Sequence, residues 1–375
     1  MGKITLGEVA IESKATWKSD KVGVPIVGLE HLEPGEISLS NWEIDSENTF
    51  TKKFSKGQVL LGRRRVYLRK AVIAPVDGIC SGDITVIEAI PGKILPELLP
   101  FVIQNDKFFD YAVQGSAGSL SPRVKWEHLK KYSFELPSID EQKILANKLW
   151  AAYRLKESYK KLLSTTDEMV KSQFIEMFSA MTTTPVKTYV DDSFPGEWGT
   201  EDTIGDGVKV IRTTNFTNSG KLNLADVVTR SIEDRKVSRK QIKKYDTILE
   251  RSGGTADNPV GRVVLFEEDD LFLCNNFTQV LRFKDIDPRF AFYSLYYFYQ
   301  TNKTAIRSMG SKTTGIQNLN MSKYLEIGIP NASDEEQKEF VAIAEQADKS
   351  KLIQNTLLNN KLKFCYCYTP RHISS

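Results

Sequence analysis

From Ser138 to Phe178 the chain runs without Pro or Gly, and apolar or small residues fall at Leu145, Ala152, Leu155, Tyr159, Leu162, Thr166 and Met169. The later steps alternate four and three, so these positions line up as one narrow seam along a helix. The spacing predicts a single long helix whose seam needs a partner. Ser138 with Glu141 three residues on is a capping-box pair, in which each side chain satisfies an orphan N–H of the first turn, and Pro137 keeps the helix from starting earlier. The device recurs near the C-terminus: Pro330, then Ser333 with Glu336, then a Pro- and Gly-free run to Phe364 with a weaker seam at Ile343, Ala347, Leu357 and Phe364. An antiparallel pair of such helices buries both seams and puts whatever precedes each helix at opposite ends of a rod. The tail CYCYTPRHISS reads as irregular, since Pro370 forbids further helix there.

Ahead of each helix the pattern changes to strands of four to seven residues broken by Gly, Pro and Asn turns, so the change occurs twice. Val24–Leu39 aligns with Lys209–Leu224 at a constant offset of 185, matching Ile26 to Ile211 and Gly35 to Gly220. Lys52–Arg65 aligns with Lys240–Gly253, setting Val59-Leu60-Leu61 against Thr247-Ile248-Leu249, and Cys80–Ile87 aligns with Cys274–Leu281. Each copy continues through an aromatic-rich segment into a small-residue loop, GSAGS at 115–119 and GSKTTG at 310–315, and closes on Leu-Pro or Ile-Pro before its helix. The predicted fold class is α+β, with two repeated globules separated by two long helices that pair as an antiparallel coiled coil. The boundaries follow: globule 1–137, helix 138–180, globule 181–332, helix 333–364 and tail 365–375.

Composition narrows the function classes. Length (375 residues) fits two domains plus helices, and 41% hydrophobic residues are enough for real cores. Four cysteines, no CxxC pair and no secretory leader point to a reduced, cytoplasmic protein, and no apolar run is long enough for a membrane span. The net charge is only +3, so any basic surface must come from local clustering. Three histidines far apart in sequence leave little material for a metal site, and none is assigned.

Such clusters exist. In GRRRVYLRK, the residues Arg63, Arg64, Arg65, Arg69 and Lys70 follow a strand, where guanidiniums reach guanine edges or phosphates; the plain alternative is a solvated strand end. Arg251 in LERSGGTADNP is the equivalent position in the second copy, and the glycines after it allow close backbone approach to phosphate. Arg123 and Lys125 after GSAGS, and Lys312 and Thr313 in GSKTTG, offer cations, a hydroxyl and backbone N–H groups of the kind that contact phosphate, although bare turns look the same. Thr214 and Asn215 in KVIRTTNFTNSG complete the DNA-contact candidates. The run from Arg230 to Lys244 reads better as a solvated helix face, and FAFYSLYYFYQ as core.

No catalytic residue is assigned. Asn258-Pro259-Val260 falls short of the Asn-Pro-Pro-aromatic motif of adenine methyltransferases, there is no Gly-x-Gly-x-x-Gly turn, and neither Gly loop is a Walker A loop. Glu141-Gln142-Lys143 and Glu336-Gln337-Lys338 sit in helix first turns, where acids complement the dipole.

The order globule, DEQ-capped helix, globule, EEQ-capped helix resembles the specificity subunit of type I restriction-modification systems. LPSIDEQKILANKL, IPNASDEEQKEFVAIAEQ, KITLGEVA and FPGEWGTEDTIGDGVKVIRTTNFTNSG carry the resemblance, which spans almost the whole chain. It implies that each globule is a target-recognition domain reading one half of a bipartite double-stranded DNA site. It also implies that the helices set the spacing and dock two modification (methyltransferase) subunits. Restriction (motor-nuclease) subunits join through the complex, and these partners, with no cofactor in this chain, hold S-adenosylmethionine and ATP. The rival readings are a duplicated coiled-coil scaffold that binds protein alone, and a fused restriction enzyme, disfavoured because neither a nuclease nor a methyltransferase domain is present.

Overall fold

The first long helix runs Ile139–Phe178, and its start is capped as the Ser138/Glu141 spacing predicts: the Glu141 carboxylate accepts from the Ser138 N–H at 2.9 Å and from its hydroxyl at 2.7 Å. At the second helix, Asp334–Tyr368, Glu336 accepts from the Ser333 N–H at 2.8 Å. This is a computed structural model that describes residues 2–255, 258–313 and 316–368. The second helix continues four residues beyond Phe364, so the start of the tail expected to be irregular is helical; residues 369–375 lie outside the described residues. The chain divides into two compact units, one formed by residues up to Leu162 with the chain from Ile353 onward, the other by Leu163–Leu352.

In the first unit Gly2–Thr5 pairs antiparallel with Ser133–Leu136, which brings the two ends of the globule together at the root of the helix. An antiparallel sheet has the order Ala10–Glu12, Ile84–Ala89, Val59–Gly62, Ala71–Ile73. A second sheet, Glu43–Ile44, Pro25–Val27, Gly78–Cys80, Lys52–Phe54, contains one parallel pair, Pro25–Val27 with Gly78–Cys80. The strand Val59–Gly62 is buried at every position, and Leu60, Val86, Phe54 and Cys80 fill the space between the sheets.

The second unit repeats this plan. Thr183–Pro185 pairs with Gly328–Pro330; the antiparallel sheet is Val190–Pro195, Thr278–Phe283, Thr247–Glu250, Val263–Leu265; and the sheet Thr200–Glu201, Val228–Ser231, Val208–Ile211, Phe272–Cys274 again has one parallel pair. The alignment of Val59-Leu60-Leu61 with Thr247-Ile248-Leu249 holds in register, as does that of Cys80 with Cys274. One match slips by a residue. Cys80 pairs with Val27 and Cys274 with Ile211, so Ile211 corresponds to Val27 rather than to Ile26. Gly35 and Gly220 remain equivalent turn residues, at φ 76° and 75°, so the second copy carries one extra residue between strand and turn.

The Glu-Gln pairs at the helix starts do more than cap. Gln142 is buried, its Oε1 accepting the Leu95 N–H at 2.9 Å and its Nε2 donating to the Pro137 carbonyl at 3.0 Å. Gln337 does the same, accepting from the Asp287 N–H at 3.0 Å and donating to Ala332 at 2.9 Å. Each glutamine fastens its helix to its own globule.

Within the second unit the end of the first long helix packs antiparallel on the start of the second: Phe340 meets Phe174 and Phe178 with ring centroids 5.1 and 5.7 Å apart, while Lys351, later in its helix, reaches Asp167, earlier in the other, at 2.6 Å. The buried line is Val170, Phe174 and Phe178 with Phe340, Val341, Ala344 and Ala347. This corrects the predicted seam. Of its members Leu145 is buried, but Leu155, Leu162 and Met169 are exposed, at 36%, 46% and 55%; beside the phenylalanine core it is Val170, not its neighbour Met169, that is buried. The helix Pro288–Thr301, from FAFYSLYYFYQ, joins the same core, as expected.

Candidate nucleic-acid interface

The backbone explains why the arginines gather. At the end of Val59–Gly62, Arg63 donates its N–H to Asp83 O at 2.9 Å and accepts the Val124 N–H at 3.0 Å, and Arg65 donates to Pro122 O at 2.7 Å. The loop after the strand is thus stitched to the segment 121–124, which brings Arg63, Arg64, Arg65, Arg123 and Lys125 into one place. The triplet is not a strand with alternating faces. Only Arg64 makes a β-bridge, to Arg123, and Arg65 turns the chain at φ 52° into the turn Val66–Leu68.

Asp83 organises the cluster. Its carboxylate accepts from Arg123 Nε at 2.7 Å and Nη2 at 3.2 Å and lies 3.5 Å from Arg64 Nη1, while Arg64 Nη2 donates to Ser121 Oγ at 3.1 Å. The hydrogen bond from Arg123 holds the Asp83 carboxyl below the usual carboxylate range, against the upward push of partial burial. Arg65 and Lys125 are exposed. Arg69 and Lys70 belong elsewhere: Arg69 pairs with Asp106 and Asp110, and Lys70 donates to the Leu29 carbonyl.

Arg251 occupies the seat of Arg63. It donates to Phe277 O at 2.9 Å and accepts the Leu319 N–H at 2.8 Å, and Ser252 faces Asn318 where Arg64 faces Arg123. The chemistry around it differs. Ser252 and Asn318, joined by a 2.7 Å hydrogen bond, replace two arginines; Gly253 replaces Arg65; and Asn320, which caps Met321–Tyr324, stands where Lys125 begins Trp126–Leu129. Arg251 is left half-exposed, with Nη1 3.5 Å from Gln279 Oε1. Behind it Arg262 pairs with buried Glu250 at 2.7 Å, and that hydrogen bond raises the guanidinium pKa.

Lys312 and Thr313 lie on the strand Gly310–Thr313, which pairs with Ile316–Leu319 and, across it, with Ser252–Gly253; residues 314 and 315 of the same loop lie outside the described residues. Thr214 is exposed in the turn Thr213–Asn215. Asn215 is a correction. It is buried, with Oδ1 accepting the Arg212 N–H at 2.8 Å and Nδ2 donating to the carbonyls of Asn223 and Asp226 at 2.9 Å, so its amide is spent holding the loop. His31 does the equivalent work in the first copy, accepting the Gly28 N–H at 2.9 Å. In the basic run Lys236 and Lys240 pair with Glu197, Lys244 pairs with Asp269, and Arg230 lies over the Trp198 ring, while Arg235, Arg239 and Lys243 are exposed. Sequence reasoning missed Asp83, Asn318 and the two glutamines. A lone acid between two buried strands and a Gln beside a capping Glu gave no periodic signal.

Among the described residues no group of His, Cys, Asp and Glu is placed to hold a metal ion, and no helix is long and apolar enough to cross a membrane.

Residues 199–363 match the family model described as the type I restriction modification DNA specificity domain. The chain is 22% identical over 174 residues to the type I restriction enzyme EcoDI specificity subunit of Escherichia coli, a match covering 44% of this chain and 38% of that protein, so it spans well under half of that relative. Two solved structures share its fold across 97% of its length. One is the type I restriction-modification S subunit from M. genitalium, at TM-score 0.59, 12% identity and 93% of that chain covered. The other belongs to a study of assembly and conformational transition in the type I system, at TM-score 0.53, 16% identity and 95% covered.

Proposed function

We propose, from the match of residues 199–363 to the model of the type I restriction modification DNA specificity domain, that this chain is the DNA specificity subunit of a type I restriction-modification complex. Each globule reads one half of a bipartite duplex, the first through Arg63, Arg64, Arg65, Arg123 and Lys125, the second through Arg251 with Thr214, Lys312 and Thr313. The observation that carries this reading is the shared seat of Arg63 and Arg251: in both globules a buried strand ends on an arginine held by one backbone pair, and the globule is fastened to its helix by a buried glutamine.

The surrounding residues give the two globules different tasks. Guanidiniums suit guanine edges and phosphates, whereas a side-chain amide suits the adenine edge and a hydroxyl accommodates more than one base. The first globule, richer in arginine, takes the more electrostatic share of binding. The helices set the distance between half-sites. At about 1.5 Å per residue, the first is roughly 60 Å long, more than the ~34 Å between two major-groove sites on one face of a duplex. Two modification subunits dock on the helices, restriction subunits join through them, and those partners supply S-adenosylmethionine, ATP and all catalysis.

Salt decides between this and the scaffold reading. Neutralised phosphates release counterions, so the logarithm of duplex affinity should fall linearly with the logarithm of salt concentration. Fluorescence anisotropy of a labelled duplex against the chain, across salt concentrations, checks it. Absence of salt-dependent binding, with partner proteins still captured, favours the scaffold.

A further inference from the structure

The residue after each turn glycine clamps its globule to a long helix, and the two clamps carry opposite charge. In the first unit, Glu36 follows Gly35 and accepts from Lys156 Nζ at 3.2 Å, from Lys160 Nζ and from the Tyr153 hydroxyl at 3.3 Å. In the second, Lys221 follows Gly220 and pairs with Asp348 at 2.9 Å and Glu267 at 2.7 Å. The positions on the helices match. Tyr153 and Asp348 both lie 15 residues after the capping serine (153 − 138 and 348 − 333), and Lys156 and Lys351 both lie 18 after it (156 − 138 and 351 − 333). The repeat has kept the seat while inverting the sign of the globule's residue.

The second clamp reaches further. Asp348 also accepts from Lys351 at 2.7 Å and from the Tyr293 hydroxyl at 3.4 Å, and Lys351 continues to Asp167 on the other long helix at 2.6 Å. Charges alternate along Glu267, Lys221, Asp348, Lys351 and Asp167, and the chain of contacts ties a globule loop to both helices. Burial raises the Asp348 pKa, but Lys221 and Lys351 more than offset that and hold it below the usual range. Glu36 and Asp348 side chains are only 14% and 26% exposed, so neither charge is free to exchange partners with water.

Apolar contact is non-directional and leaves a globule able to rock on its helix, whereas a hydrogen-bonded ion network fixes an angle. We propose that Glu36 and Asp348 are positioning residues that hold each globule at one angle on its helix, and that they thereby restrict the chain to a single spacer length between its half-sites. This rests on the bipartite DNA reading above.

The test uses the full chain with its modification partner and duplexes in which both half-sites are constant and the spacer varies by one base pair either way. Methylation rate on each duplex gives the spacer discrimination. Asp348→Asn and Glu36→Gln should each lower discrimination fivefold or more while leaving base preferences within each half-site unchanged. Lys351→Arg, which retains both ion pairs, should keep it. Unchanged discrimination in a folded Asp348→Asn or Glu36→Gln chain overturns the proposal, and so does a finding that both variants merely unfold, since that role is structural alone. A wild-type chain indifferent to spacer length sinks the bipartite reading itself.

Discussion

The Arg123 guanidinium lies in a two-point hydrogen bond with the Asp83 carboxylate, at 2.7 and 3.2 Å. An arginine so held presents its remaining N–H groups in one direction. Asp83→Ala frees Arg123 and Arg64 and removes a negative charge beside them. Affinity for unrelated duplex should rise, and preference for the correct first half-site should fall by about 1–3 kcal/mol, the scale of one bidentate base contact. Competition binding with a duplex scrambled in the first half-site measures the ratio, and an unchanged ratio means that Asp83 does not orient a reading group.

Reading should be modular, because Arg63 and Arg251 occupy equivalent seats in separate globules. Arg63→Ala, Arg64→Ala and Arg65→Ala together should relax the first half-site alone, and Arg251→Ala the second alone. Methylation mapping with the partner subunit resolves the two, and a variant that alters both half-sites equally contradicts independent reading.

The buried line of the helix pair can be checked against the seam predicted from spacing. Phe340 is fully buried among Phe174, Phe178, Phe290 and Tyr293, so Phe340→Ala should cost about 3–5 kcal/mol. Met169→Ala, at an exposed position, should cost less than about 0.5 kcal/mol. Urea denaturation followed by circular dichroism gives both values, and a reversed order would restore the predicted seam.

Acid should loosen both clamps. For Glu36 and Asp348 burial pushes the pKa up, yet the lysines beside them bring it below the ordinary value. A carboxyl with a depressed folded-state pKa binds fewer protons folded than unfolded, so its stabilisation is fully present above the unfolded pKa, ~3.9 for Asp and ~4.3 for Glu, and is lost as pH falls through the lower, folded value. The urea midpoint should hold down to about pH 5 and drop below about pH 4. In Asp348→Asn the drop should be shallower; a wild-type slope in that variant means that Asp348 gains nothing from Lys221 and Lys351.

Much of this architecture was legible because its signals are periodic or duplicated. The Ser138/Glu141 and Ser333/Glu336 caps, the matched strands around Leu60 and Ile248, and the arginines at 63 and 251 all lie where the pattern puts them. What escaped depends on contacts distant in sequence. Met169 and Val170 are neighbours in the chain, and only the rings they meet decide which is buried. Asn215 looks like a base reader in a polar loop, but its amide is consumed by Arg212, Asn223 and Asp226. A one-residue insertion between Ile211 and Gly220 is invisible to an alignment anchored on the glycines, and strand register reveals it.

Sequence-specific reading of a bipartite duplex is the central claim, and methylation mapping tests it most directly. Genomic DNA from cells that hold the modification partner alone is compared with DNA from cells that also express this chain. One new methylated motif should appear, two short specific halves around a spacer of constant length, present only when this chain is expressed. A motif methylated equally without the chain, or one that is continuous rather than bipartite, would contradict the claim.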